Sequence, residues 1–190
     1  VWMEISDPKS AADYARQRMT GNVEHVRQEL AGVRTGRASI GILDSVSVEA
    51  YGSQLPLNQV ASLSIPEPTL IVASPFDPSQ IASIERAIRN ANLGLNPSND
   101  GKVIRIPIPP LTTERRKELS KVVHQLTEEG RNNLRQVRRE TNDALKKLLR
   151  DHELGEDDER RALDTIQTLT DTYVHQIDEL QTTKDAELLE

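Results

Sequence analysis

Residues 131–150 read RNNLRQVRRETNDALKKLLR, the heart of a pattern that runs from Leu111 to His152. Leu119, Val123, Leu126, Gly130, Leu134, Val137, Thr141, Leu145 and Leu148 recur at steps of three and four. That spacing puts side chains on one stripe of an α-helix. No proline interrupts the pattern after Pro110, and Gly130 is its one weak point. Some 40 residues at ~1.5 Å each make a rod about 60 Å long. A rod of that length needs long partners, so the stretch predicts a helical bundle.

The same helix carries a second stripe. At about 100° per residue, Arg131, Arg135, Arg138, Arg139 and Lys146 fall within an arc of roughly 100°, its centre more than about 100° from the centre of the apolar stripe. Arginine dominates it, and a guanidinium binds phosphate oxygens through a flat fork of donors that lysine lacks. Taken alone, such a stripe reads more simply as a solvated face with intrahelical pairs such as Arg139 with Asp143. Charge elsewhere in the chain shifts the balance.

The formal net charge is -6, but it is unevenly spread. Residues 112–152 carry eleven Lys/Arg against seven Asp/Glu, and residues 153–190 carry three against twelve. A basic helix followed by an acidic segment can attract each other and still leave a positive side for a polyanion.

Working outward, Asp7-Pro8 opens a first helix, with Asp7 as cap and Pro8 at its first position. Ala12, Ala15, Met19, Val23, Val26, Leu30 and Val33 keep a three-four spacing past Gly21, and Gly36 supplies a natural stop near Thr35. The period then changes. Val46–Tyr51, Gln54–Leu57, Val60–Ile65 and Leu70–Ser74 read as short strands, with Gly52-Ser53 as a hairpin turn. Pro56, Pro66, Pro68 and Pro75 confine these to short or edge strands. Asp77-Pro78 opens a helix with Ile81, Ile84, Ala87, Ile88 and Ala91 on its buried side; Leu95 and Val103–Ile106 supply further strands. Thr112 or Thr113 then caps the central helix. After the turn at His152–Gly155, the acids Glu156–Glu159 open a third helix, where carboxylates complement the helix dipole. Its apolar stripe is Leu163, Ile166, Leu169, Tyr173, Ile177, Leu180 and Leu188.

The fold class is therefore α+β: an elongated antiparallel three-helix bundle made of residues 1–35 and 111–190, with a small α+β domain, residues 36–110, inserted between. The chain crosses between the two at Arg34, Thr35, Gly36 and Arg37 and again at Pro107, Pro109 and Pro110, which reads either as a candidate hinge with two pivots or as a rigid double crossover; spacing alone does not choose between them. The opening Val1-Trp2-Met3-Glu4-Ile5 is expected to include residues outside the fold.

The sequence carries no recognisable catalytic motif. There is no cysteine, hence no disulfide or thiol nucleophile. No phosphate-binding loop of the NTPase kind and no Gly-x-Ser-x-Gly elbow is present. His25, His124, His152 and His175 lack zinc spacing, and the Glu156–Glu159 run lacks the EF-hand pattern. No catalytic residue, metal ligand or cofactor site is expected. A run of 18 apolar residues is also missing, so no membrane span is expected.

Several stretches resemble the ribosome recycling factor family: Val33-Arg-Thr-Gly-Arg-Ala-Ser39, Leu93-Gly-Leu-Asn-Pro97, Ile106-Pro-Ile-Pro-Pro-Leu-Thr112 with Glu114-Arg-Arg-Lys117, Val137-Arg-Arg-Glu-Thr-Asn-Asp143, and Glu156-Asp-Asp158 with Arg160-Arg161. They fall in the family's order and span nearly the whole chain. The resemblance implies an L shape similar to tRNA and binding to the post-termination 70S ribosome. It implies contact with large-subunit rRNA through arginines of the central helix: Arg138 and Arg139 match the family's basic motif, with Arg135 beside them. With elongation factor G and GTP, the subunits would then be split for reuse. Arg34 and Arg37 match the motif at the hinge entry. The expected setting is a monomer in the bacterial cytoplasm. Two other readings fit the same sequence: a coiled-coil adaptor whose arginines pair with another protein, and an enzyme housed in the insert.

Overall fold

A computed structural model describes residues 4–189; the expectation for Val1–Met3 falls outside them. In chain order the elements are α1 (Pro8–Ala31), β1 (Ser47–Ala50), β2 (Ser53–Pro56), the single-turn α2 (Leu57–Val60), β3 (Ala61–Glu67), β4 (Leu70–Pro75), α3 (Ile81–Asn90), β5 (Ser98–Asn99), β6 (Ile104–Pro107), α4 (Thr113–Arg150) and α5 (Glu156–Leu189). The chain divides into two compact units. One comprises the chain up to Arg34 and from Glu114 onward; the other is Thr35–Thr113.

In the first unit, α1, α4 and α5 pack along a shared aliphatic seam. Asp7 starts α1 by accepting the Ser10 N–H at 2.6 Å, while the Ser10 hydroxyl accepts the Asp7 N–H at 3.1 Å. The backbone N–H of Ser10 holds the Asp7 carboxyl below its usual range. The helix runs through Gly21 and stops earlier than its periodicity predicts. Gly32 is the cap, donating to Glu29 O and Leu30 O, whereas Gly36 lies in the connection beyond. Leu30 is the last buried side chain of the helix. Past it, Gly32 adds backbone entropy cost with nothing to bury, so the next turn is not worth forming. At the other end Ala11, not Ala12, faces the seam.

α4 is a single helix of 38 residues, about 57 Å long at 1.5 Å per residue. Its buried stripe is the expected one with a single exchange: Thr127 is buried and Leu126 only half so. In α5, Ala162 and Thr170 join Ile166, Ile177 and Leu188 at the centre, while Leu163, Leu169, Tyr173 and Leu180 flank them half-buried. Small residues at the centre let the helices approach closely. Burial leaves the threonine hydroxyls satisfied, because each donates to a carbonyl one turn back: Thr127 to Val123 at 2.9 Å, Thr141 to Val137 at 2.8 Å, Thr170 to Ile166 at 2.8 Å.

In the second unit β1 and β2 form a hairpin with Ala50 opposite Ser53. Its turn is Tyr51-Gly52, one residue earlier than expected, with φ of 53° and 76°. Positive φ at both positions is the turn whose twist matches the strands. The main sheet has the antiparallel order β3-β4-β6-β5. β3 is an edge strand, which tolerates Pro66, and its register shifts between Ser64 and Glu67. Leu95, expected in a strand, is instead a buried loop residue, and β5 follows it. Ile71 and Ala73 of β4 and Ile104 and Ile106 of β6 meet Ile84 and Ile88 of α3 in a separate core. Alternate residues of β6 point outward, as a sheet covered on one face requires.

Candidate nucleic-acid interface

The apolar stripe of α4 fixes the rotation of the helix in the bundle, and that decides where each cation points. Arg131 turns into the seam with α5. Its side chain is 11% exposed. Nε donates to Asp178 Oδ1 at 2.8 Å, Nη1 donates to Glu128 Oε2 at 3.2 Å, and Nη2 donates to Gln181 Oε1. Two carboxylates thus neutralise it, and it clamps α4 to α5. Arg135 is half-exposed and donates to Asn132 Oδ1 at 3.0 Å and to Glu128 Oε1 at 3.4 Å. Burial would raise the Glu128 carboxyl, but hydrogen bonds and charge from Arg131 and Arg135 outweigh it and hold the group below its usual range.

Beyond these two the pairing thins. Arg138 has an uncharged partner, donating from Nη1 to Gln167 Oε1 of α5 at 3.3 Å. Arg139 and Lys146 are exposed and, among the described residues, have no hydrogen-bond or ion-pair partner; the pair of Arg139 with Asp143 does not form. Glu140 turns the other way, accepting from Tyr14 and Arg18 of α1. Arg150 extends the face one turn past Lys146, exposed and likewise unpaired among the described residues. Its signal was in the sequence: it stands four residues after Lys146, the interval that keeps side chains on one face. From Arg135 to Arg150 the face runs about 22 Å along the axis.

The expected hinge residues divide between sheet-bound and solvent-exposed positions. Pro107 pairs with Leu70 at the end of β6, so it belongs to the sheet. Ala38 N–H donates to Pro68 O at 2.7 Å, and Ile108 N–H donates to Thr69 O at 2.8 Å. Both linker strands are therefore pinned to the one turn between β3 and β4. On the exit side only Pro109 to Thr112 follows the pin, with Pro109 and Pro110 exposed. On the entry side Arg34 and Arg37 are exposed and Thr35 half-buried. Gly36 has φ +77°, and a Cβ there would sit 3.2 Å from Leu111 Cγ.

Among the described residues, no group of three or more His, Asp or Glu is placed to hold a metal, and no helix is long and apolar enough to cross a membrane. The family profile of the ribosome recycling factor matches residues 26–189. The chain belongs to the ribosome recycling factor family. Its function is that of the family, ribosome recycling, a part of protein biosynthesis. The ribosome-recycling factor of Rubrobacter xylanophilus is 51% identical over 186 residues, 98% of this chain and 100% of its own. The solution structure of a ribosome recycling factor superposes with a TM-score of 0.73 at 39% identity, covering 98% of this chain and 99% of that one. A second recycling factor, from T. thermophilus, is described with the E. coli elongation factor G bound to the E. coli post-termination complex. It superposes with a TM-score of 0.63 at 43% identity, over 97% of this chain and 100% of its own. The antiparallel bundle and the small sheet domain are thus the recycling-factor fold.

Proposed function

We propose that this chain binds the post-termination ribosome through the basic face of α4, gripping large-subunit rRNA with Arg135, Arg138, Arg139 and Lys146, with Arg150 extending the face. Arg131 braces that face from within. Together with elongation factor G and GTP, the bound factor splits the ribosome into subunits. It works as a monomer in the compartment that holds the ribosomes, and as a lever rather than an enzyme.

The observation that carries this reading is a set of cations left uncompensated by carboxylates on a long, well-anchored helix. Solvated arginines of a purely structural helix tend to find acids one turn away. Here Glu128 of α4 pairs with Arg131 and Arg135 and Asp178 of α5 pairs with Arg131, while Arg138, Arg139, Lys146 and Arg150 meet no carboxylate among the described residues. A folded RNA is recognised mainly through its phosphates and shape, which suits a stiff rod with guanidinium groups at fixed intervals. The second unit supplies the surface that a motor protein would push, and the two short linkers supply the joint. If crosslinking the linkers left splitting by elongation factor G and GTP undiminished, the lever part of the proposal would fall.

Co-sedimentation with large subunits across a salt series tests the interface. Binding should weaken steeply with salt, and Arg139→Ala should lower the salt slope by about 0.7–0.9, the contribution of one phosphate contact. Salt-insensitive binding, or binding unaffected by both Arg138→Ala and Arg139→Ala, would remove α4 as the RNA-gripping element.

A further inference from the structure

Arg131 and Arg138 lie two turns apart on the same flank of α4, and α5 treats them differently. Arg131 meets the carboxylates of Glu128 and Asp178 and loses its net charge to them. Arg138 meets only an amide: Gln167 Oε1 accepts from Nη1 at 3.3 Å. The other end of that amide is also occupied. Gln167 Nε2 donates to Asp171 Oδ1 at 2.8 Å, one turn further along α5.

This second bond gives the first its meaning. An amide carries a donor and an acceptor that can exchange places by a half-turn. An ionised carboxylate only accepts, so Asp171 forces the Gln167 NH2 group toward itself and turns the carbonyl oxygen toward Arg138. A guanidinium only donates, so Arg138 finds the right atom waiting. The chain Asp171–Gln167–Arg138 is therefore polarised in one direction along its length. It holds the guanidinium in place without cancelling its charge. A carboxylate at 167 would hold Arg138 as firmly but would compete with a phosphate for it.

We propose that Gln167, oriented by Asp171, is a positioning residue that pre-aims Arg138 for an rRNA phosphate while leaving its charge available. The inference rests on the RNA-binding reading of α4. A long arginine left free must give up rotamer freedom when it binds, and a side chain already held gives up less. The amide thus acts on affinity through Arg138 and not through any contact of its own.

The test measures Kd for large subunits over a salt series, with Tm alongside, for Gln167→Met, Gln167→Glu, Arg138→Ala, Arg139→Ala and the double variant Gln167→Met/Arg138→Ala. Methionine keeps the length of the side chain and removes the acceptor. Gln167→Met should weaken binding about two- to tenfold, with the salt slope and Tm of the parent, since the same phosphates are still contacted. In the Arg138→Ala background it should cost nothing more. Gln167→Glu should lower both affinity and slope, because its carboxylate takes up the Arg138 charge. The proposal is overturned if Gln167→Met binds like the parent, if its effect persists without Arg138, or if Gln167→Glu binds as well as glutamine. Should Arg138→Ala and Arg139→Ala both bind like the parent, the interface on α4 fails, and this inference with it. Should those two weaken binding while Gln167→Met does not, only the positioning role falls.

Discussion

Two glycines interrupt the bundle helices, and the structure predicts opposite responses when each becomes alanine. Apart from its chain neighbours and the backbone of its own helix turns, Gly21 in α1 has, among the described residues, no heavy atom within 4 Å of where a Cβ would stand. Gly130 in α4 is buried, and its Cβ would stand 2.5 Å from Val26 Cγ2 and 3.1 Å from Ile177 Cδ1. Carbon atoms pack at about 3.5–4.0 Å, so the first contact demands more than ~1 Å of movement. The Ile177 methyl ends a flexible chain and can yield. Val26 cannot turn aside, because a β-branched residue in a helix has essentially one χ1 rotamer; α1 itself must shift. Overpacking of this kind costs about 1–3 kcal/mol. Against it stands the helix-propensity gain of alanine over glycine, about 1 kcal/mol. The expected net result is a loss of about 1–2 kcal/mol for Gly130→Ala, since the 2.5 Å approach puts the clash in the upper part of its range. Gly21→Ala meets no clash and should gain about 0.5–1 kcal/mol. Urea unfolding followed by far-UV circular dichroism, which reports chiefly on the three long helices, measures both. In a Val26→Ala background, where the offending methyl is gone, the Gly130→Ala penalty should vanish. A Gly130→Ala protein as stable as its parent would refute the close crossing of α1 and α4.

Arg131→Ala removes the clamp between α4 and α5 and should cost about 1.5–3 kcal/mol in the same assay, the range for hydrogen bonds to charged groups. Arg139→Ala, with no partner to lose among the described residues, should stay within about 0.5 kcal/mol. Gly36→Ala forces a Cβ onto a backbone with φ +77° against Leu111, and should destabilise the protein by about 1–2 kcal/mol, read by thermal unfolding. Two carboxylates should shift stability with pH in opposite senses. The Asp7 carboxyl is held low by the Ser10 N–H. Its cap is therefore in force above the usual carboxylate range and is lost as pH falls through the lowered value, so the Tm gap between parent and Asp7→Ala should close in acid. Asp185 is raised by burial, which the charge of His124 only partly offsets. Its Oδ1 has no partner among the described residues. The charged form is therefore the costly one, present once pH rises through the raised value. Asp185→Asn should raise Tm at neutral pH, and the advantage should disappear as pH falls to the ordinary aspartate range. A Tm gap independent of pH in either variant would overturn the corresponding assignment.

The long helices were legible because burial repeats with the helical period and local geometry alone sets that period. The same holds for the Asp7-Pro8 start of α1, where cap and helix lie within four residues. The end of α1 was not legible. Gly32 and Gly36 are both sound stops, and the choice fell to the one just past the last side chain that the bundle could bury. Thr127 and Thr170 read as polar in the sequence, yet they lie in the seam, because their own helices satisfy the hydroxyls and the neighbouring helices need small residues there. The hairpin turn slipped by one residue for a similar reason: Tyr51 can take a positive φ, and the pairing of Ala50 with Ser53 decides that it must.

The basic stripe shows the division most clearly. Its existence follows from the spacing of Arg131, Arg135, Arg138, Arg139 and Lys146 on one helix, and spacing is a property of the sequence. Which of these cations keeps its charge for a partner depends on Asp178, Gln181 and Gln167, residues 29 to 50 positions away on α5. Electrostatic pairing acts over a few ångströms of space and takes no account of distance along the chain. The sequence by itself therefore determined the helices and the face that bears the arginines, and only the packing of α5 against α4 decided that Arg131 became a brace while Arg138, Arg139 and Lys146 stayed open.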